Sequence, residues 1–415
     1  MRSTRLMRLF VLTGVAALLA TAASAETIYV APNGSDDYEA AQGLGGHSVE
    51  KTLHRALNSA AELLNGGATE VSVHVAEGEY DGKAGMGIWE IPSINNPQGV
   101  LRIVGGWHDG FTERAPFDYW SSLKTSETRN GAFISLGRRS ALAEFTISGF
   151  IFDGSPSNGY DAETNSLVRS QTRTWPMLSF GYVKTDLLVI ADNVFANAGH
   201  GVFDPAITPT SDDAVVEIRN NLFINNIKAI QVGAGINPVR EVRVIGNTFL
   251  MNWPYNPDTT SSNVGALTLD EKSSAQSIVI EGNIFAQNPG GAMQHDWPED
   301  RMPELAIRNN VFYQNALLFG NDEPGAGVLV GKFGTNPRYL ILDLETVEED
   351  FGYTVEGNAY ADPEFDVEFE LEVTPDGDDV ELMGFAPKMD LRFVPLPAAM
   401  NIEGYGAHPD RTIQF

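Results

Sequence analysis

The 415-residue chain contains no cysteine, which excludes a disulfide framework, a thiolate metal centre and a cysteine nucleophile. It is also short of cations: 27 Lys and Arg stand against 55 Asp and Glu, a formal net charge of −28. A field of that sign repels polyanions, so nucleic acid and anionic membrane surfaces are excluded as partners, and an acidic polymer would need a bridging cation. Beyond the N-terminal segment no run reaches the ~20 apolar residues that cross a bilayer, so no membrane insertion is expected. The seven histidines are scattered, and no phosphate loop, zinc spacing or serine-hydrolase elbow is present. What is present is a globular composition, 43% hydrophobic and 10% aromatic with 41 Gly and 22 Pro, which supports a large core. Length alone permits a single domain, because all-β solenoids run long as one unit.

Residues 1–25 divide into three parts. Arg2, Arg5 and Arg8 come first, then the apolar run Leu9 to Ala20, then Ala23-Ser24-Ala25 before Glu26. That order reads as a bacterial-type secretory signal peptide, so export to the periplasm or the extracellular space is expected. Its removal would leave 24 basic against 55 acidic residues. With no staples available, the mature chain must be held by packing.

A repeat sets the architecture. Alternating apolar strands each end in Asn-x-Phe: LLVIADNVF at Asn193, VVEIRNNLF at Asn221, EVRVIGNTF at Asn247, SIVIEGNIF at Asn283 and LAIRNNVF at Asn310, with a worn copy at Asn358. Phe195, Phe223, Phe249, Phe285 and Phe312 are separated by 28, 26, 36 and 27 residues. A second short strand follows each: HGVFD at 200–204, KAIQV at 228–232, GALTL at 265–269, GAMQH at 291–295 and NALLF at 315–319. Several short strands per period without helices describe an all-β solenoid with stacked parallel sheets. The asparagines are read as a ladder that occupies a left-handed bend and bonds from coil to coil. The phenylalanines are read as an internal stack.

The ends of such a stack need covers. Ser48 is placed to cap a helix over about 48–65, in which Leu53, Ala56, Leu57, Ala60, Ala61 and Leu64 share one face before Gly66-Gly67. From Ile341 to Val380 there are 15 acidic residues and no Lys or Arg, read as a solvated acidic cap or as weak Ca²⁺ sites. The domain plan is therefore a signal peptide at 1–25, a solenoid at 26–365 and a C-terminal cap at 366–415.

ETIYVAPNGSDD, the helix, VSVHVAEGEY and the Asn-x-Phe coils together resemble secreted right-handed parallel β-helix proteins of the pectin-lyase-like superfamily. IVGGWHDGFTERAPF at 103–117 is similar to a GG-aromatic…F-x-x-R motif of bacterial members with parallel β-helix repeats. The resemblance implies the fold and leaves the reaction open, since that superfamily holds lyases, hydrolases, epimerases, adhesins and non-enzymes.

In stacked coils a site is read down a column, one strand spacing of ~4.8 Å at a time. The second strands put Gln231, Thr268 and Gln294 outward in register with Phe203, and beyond them come Asp204, Gly233, Asp270-Glu271-Lys272 and His295-Asp296. Trp253 and Tyr255 lie in the longest interval and Trp297 in the next coil. They are read either as sugar-stacking aromatics or as anchors that pin loops to the barrel.

Three functions stay open. A Ca²⁺-assisted polysaccharide lyase needs a base, Lys272 or His295, and a cation held by Asp204, Asp270, Glu271 or Asp296 against a uronate. Trp253, Tyr255, Gln294 and Trp297 would bind the substrate. EKSSAQSIVIEGNIFAQNPGGAMQH at 271–295 is similar to one coil of the chondroitinase B and alginate lyase group, which implies Lys272 as base and Glu271 as metal ligand. The second function is a non-catalytic secreted or surface protein that binds glycans or proteins along its lateral face. The third is a glycoside hydrolase with a carboxylate pair such as Asp204 and Asp270. Gly199-His200-Gly201 resembles the polygalacturonase GHG, but the companion motifs are missing.

Overall fold

The computed structural model describes residues 24–32, 49–82, 87–126, 131–159, 162–163, 168, 176–180, 183–199, 203–204, 214–232, 239–253, 265–269, 275–295, 304–316, 328–332 and 339–363. Residues 1–23, which hold most of the expected signal peptide, Ser48 and the acidic stretch after 363 lie outside them. No helix among the described residues is long and apolar enough to cross a membrane.

The chain visits three long sheets in rotation, and its strands stack in chain order within each. Sheet A has ten strands, from Ala25–Val30 to Thr354–Glu356. Sheet B has nine, from Gly78–Tyr80 to Ala359–Tyr360. Sheet C has nine, from Trp89–Ile91 to Tyr339–Leu342. Pairing is parallel until the last step, where Tyr339–Leu342 turns antiparallel to Leu329–Lys332 and ends sheet C. The expected strand at 315–319 is a correction: sheet C continues from Met293 to Leu329, and residues 317–319 lie outside the described set.

Two buried asparagine ladders hold the rungs together. In the first, the Nδ2 of Asn193, Asn221, Asn247, Asn283 and Asn310 each donates to the Oδ1 of the next member, ending at Asn358, over 2.9–3.1 Å. Their backbone N–H groups donate to the same oxygens. A second ladder, five residues further on, joins Asn226, Asn252, Asn288 and Asn315 in the same way. The left-handed bend belongs to the residue before each ladder asparagine, which corrects the sequence reading: Asp192, Asn220, Gly246, Gly282, Asn309 and Gly357 at the first corner, Asn225, Met251, Gln287 and Gln314 at the second. The turn carries the positive φ, and the ladder residue closes the hydrogen bonds that a parallel corner leaves open.

Between the corners, the sheet B phenylalanines point inward and stack. Phe152, Phe195, Phe223, Phe249, Phe285 and Phe312 follow one another at 4.6–5.3 Å with planes within 9°. Helix α1 (Val49–Asn65) covers the N-terminal end, with Leu53, Ala56, Leu57, Ala60, Ala61 and Leu64 all buried. At the other end helix α2 (Leu344–Phe351) is capped by the Asp343 side chain and stopped by Gly352 at φ 63°.

The GGW segment shapes one corner. A Cβ on Gly105 would lie 2.4 Å from the Gly149 carbonyl, and Gly106 has φ 77° beside Pro116. Arg114 donates to the Gly105 carbonyl and to Ser148, which donates to Asp192. Trp107 lies flat on His74, with ring centroids 4.3 Å apart. Burial and the Arg114 charge push the His74 imidazole down to about 4.

Two outcomes are expected. Asn247→Ala removes partners from the Asn221 amide and the Ile218 carbonyl, and orphaned buried groups cost about 1–3 kcal/mol each. Urea unfolding should show a loss of about 3 kcal/mol, against less than about 1.5 for Asn358→Ala on the half-buried last rung. His74 is held neutral in the fold, so the unfolded chain binds the extra proton as pH falls through 6.5. His74's contribution is therefore complete above that pH and lost toward pH 4. Urea midpoints of wild type relative to His74→Phe should fall between pH 7 and 4.5; parallel profiles would contradict this.

Candidate functional site

The three outer faces differ in chemistry. Sheet A is laced with ion pairs, Arg102 with Glu70 and Glu144, Arg243 with Glu217 and Glu241, and Arg308 with Glu281. Sheet B carries a second apolar cluster that includes Val194, Leu222, Ile224, Leu250, Ile284 and Val311, all buried. Sheet C differs from both. Its middle positions align Glu90, Ser135, Ser179 and Asp204 in successive strands. Gln231, Thr268 and Gln294 follow in the same line. The flanking residues, such as Leu178, Ile230, Leu267 and Met293, belong to the core. One line of sheet C thus combines two carboxylate residues, Glu90 and Asp204, with three hydroxyl and two amide residues.

Register corrects part of the expectation. Phe203 pairs with Ile230, and Asp204 is the residue level with Gln231. Thr268 and Gln294 are also not open to solvent: their residues are 1% and 0% exposed. Ser135, Ser179 and Gln231 are half-buried, and Glu90 is exposed. Accessibility along the column therefore lies at its N-terminal rungs.

Trp253 is buried, its Nε1 donates to Asn225 Oδ1 at 3.0 Å, and its backbone bonds to Asn226 and Lys228. That is the anchoring arrangement, and it leaves no face for a sugar. Asp204 and His295 sit on sheet C strands, with their side chains outside the described set. Tyr255, Asp270, Glu271, Lys272, Asp296 and Trp297 also lie outside it. Among the described residues the set with metal-ligand spacing is Glu77, His108 and Asp109, on the corner between sheets A and B, far in sequence from the carboxylates named for Ca²⁺.

Two features were missed. Lys228, 8% exposed, has positive φ and directs its Nζ to the Gln231 side chain, which puts an amine on the column itself. Its sequence signal was the Lys that opens KAIQV, three residues before the column glutamine. The second is a cavity of about 620 Å³ over the first three rungs, lined by His54 and Asn58 of α1, Glu90, Ser93, Ser135, Arg138 and Ser179. Ser93 Oγ donates to the Arg138 carbonyl at 3.0 Å, and the Gly137 amide bonds to Ile91. A Cβ on Gly137 would lie 2.5 Å from Ser93, so the cavity wall closes only around glycine.

Trp253→Phe keeps the buried ring and removes one buried hydrogen bond, so a stability loss of about 1–2 kcal/mol with unchanged glycan binding is expected; loss of glycan binding without destabilisation would restore a stacking role. Compared with protein-family models, curated proteins and solved structures, the chain matches none of them.

Proposed function

We propose that this is an exported right-handed parallel β-helix protein of the pectin-lyase-like kind that engages polysaccharide along the outer face of sheet C. The observation that carries this reading is the accessible part of the column, exposed Glu90 and half-buried Ser135, Ser179 and Gln231, on a chain whose sheet A face is ion-paired and whose sheet B face is apolar and buried. Such groups match sugar hydroxyls, and the rigid strand spacing fixes their register.

The catalytic form of the reading is a uronate lyase. Its chemistry requires a base to take the proton next to the uronate carboxyl group and a cation to offset the carboxylate. Lys272 and His295 are the bases proposed from the sequence, and Lys228 joins them because it reaches Gln231 on the column. Ca²⁺, if used, would supply the charge offset through Asp204, Asp270, Glu271 and Asp296.

A non-catalytic glycan-binding role is the second reading. It is favoured by the column residues with described side chains, of which Ser135, Ser179, Gln231, Thr268 and Gln294 do not titrate. The test is ultraviolet absorbance of the protein with alginate, pectate and chondroitin sulfate, with Ca²⁺ and with chelator. Absorbance from an unsaturated uronate, abolished by chelator and lowered at least ~100-fold in Lys272→Ala, His295→Ala or Lys228→Met, supports the lyase. Binding without any absorbance change supports the second reading. Neither binding nor product on any polymer contradicts both.

A further inference from the structure

We infer that the outer face of sheet B is a docking surface for this chain's own segment 364–373, whose apolar side chains lie on the sheet while its carboxylates face solvent.

The face itself calls for a cover. Each three-residue strand of sheet B sends its middle phenylalanine into the main core and its two flanking side chains the other way, into a separate apolar cluster. Val194, Ala196, Leu222, Ile224 and Ile284 in that cluster are nevertheless 0% exposed, and Leu250 is 1% exposed. Side chains on the outside of a sheet are shielded from water only when something lies over them. Among the described residues, the partly buried apolar side chains packed against the cluster are Trp120, Tyr313 and Ala361. Trp120 adjoins Ser121–Lys124 near one end, and Tyr313 and Ala361 belong to the last two rungs at the other. The cover over the middle rungs, from Val194 to Leu250, is therefore assigned to a segment outside the described residues.

The sequence identifies which one. At Ala361 the chain leaves sheet B already against the apolar cluster, and residues 364–415 follow the last described position. Directly after it, Phe365, Val367, Phe369, Leu371 and Val373 alternate with Glu364, Asp366, Glu368, Glu370 and Glu372. Extended backbone places the first set on one side and the carboxylates on the other. The stretches that join sheet B to sheet C, 160–175, 254–264 and 317–327, have no comparable run. Length agrees as well. From Ala359–Tyr360 back to Val194–Ala196 the sheet spans five strand spacings, ~24 Å, and extended chain from Phe365 to Val373 reaches ~26 Å. Thr374-Pro375-Asp376-Gly377 then supplies a turn sequence. On this path Phe369 falls over Leu250 and Leu371 over Leu222. Docking converts an apolar face, which would otherwise recruit a second molecule, into an acidic one.

The experiment uses the full chain, whose lack of cysteine lets introduced pairs report proximity. The docked pairs are Leu250→Cys with Phe369→Cys and Leu222→Cys with Leu371→Cys. Glu241→Cys on sheet A with Leu371→Cys is the control. A disulfide needs Cβ atoms ~3.5–4.5 Å apart, so mild oxidation should close both docked pairs within one chain and leave the control open, as read by mass spectrometry of unreduced peptides. In the cysteine-free chain, Phe369→Asp should bind several-fold more anilinonaphthalene sulfonate and unfold at lower urea, while Glu368→Gln on the solvent side matches wild type. Far-ultraviolet circular dichroism verifies that each variant is folded. Failure of both docked pairs to close, closure between two chains, closure of the control to the same extent, or equal behaviour of Phe369→Asp and Glu368→Gln each overturns the proposal.

Discussion

The constraint on which the rest depends is the corner hydrogen bond. A chain that turns between parallel sheets leaves backbone groups at each corner with no strand partner, and here the corners are buried. Asparagine meets that need from within the side chain. Its Nδ2 reaches one rung back to a carbonyl and forward to the next Oδ1, while that Oδ1 also takes a backbone N–H, as Asn247 does with Ile218 and Asn283. The two ladders fix the rung spacing along two edges of sheet B. The stacked phenylalanines between them inherit it, and so does the alignment of the sheet C column.

That rigidity gives the outer faces their meaning. Positions two residues apart on a strand share a face, and positions on neighbouring strands share a column. Each face is therefore a one-dimensional pattern that sequence variation can tune independently. Sheet A uses its pattern for alternating charges, and sheet B for apolar side chains. Sheet C uses it for hydrogen-bonding groups that end in a cavity against helix α1.

Most of the fold was legible because it depends on local signals that repeat. Asn-x-Phe marked every sheet B strand from Val194 to Val311, and the 3.6-residue spacing of Leu53, Ala56, Leu57, Ala60, Ala61 and Leu64 marked α1. The second ladder was equally visible, as an asparagine five residues after the first, but the eye rests on the stronger motif. The site was harder. Phe203 was placed one residue out of register because strands of two or three residues contain too little alternation to fix which side chain faces inward. Trp253 stayed open between stacking and anchoring because its burial depends on a neighbouring rung, Asn225, that lies 28 residues away. The cavity joins α1 to residues as distant as Ser179, and no local pattern announces such a junction.

The central claim is that sheet C, and not the other faces, meets the glycan. Hydrogen–deuterium exchange of the full chain with and without a saturating uronate oligosaccharide addresses it most directly. Added protection is predicted in Trp89–Ile91, Ile134–Leu136, Leu178–Ser179 and Ile230–Val232, with little change in the sheet A strands. Protection confined to sheet A or to the corner around Trp107 would contradict the account.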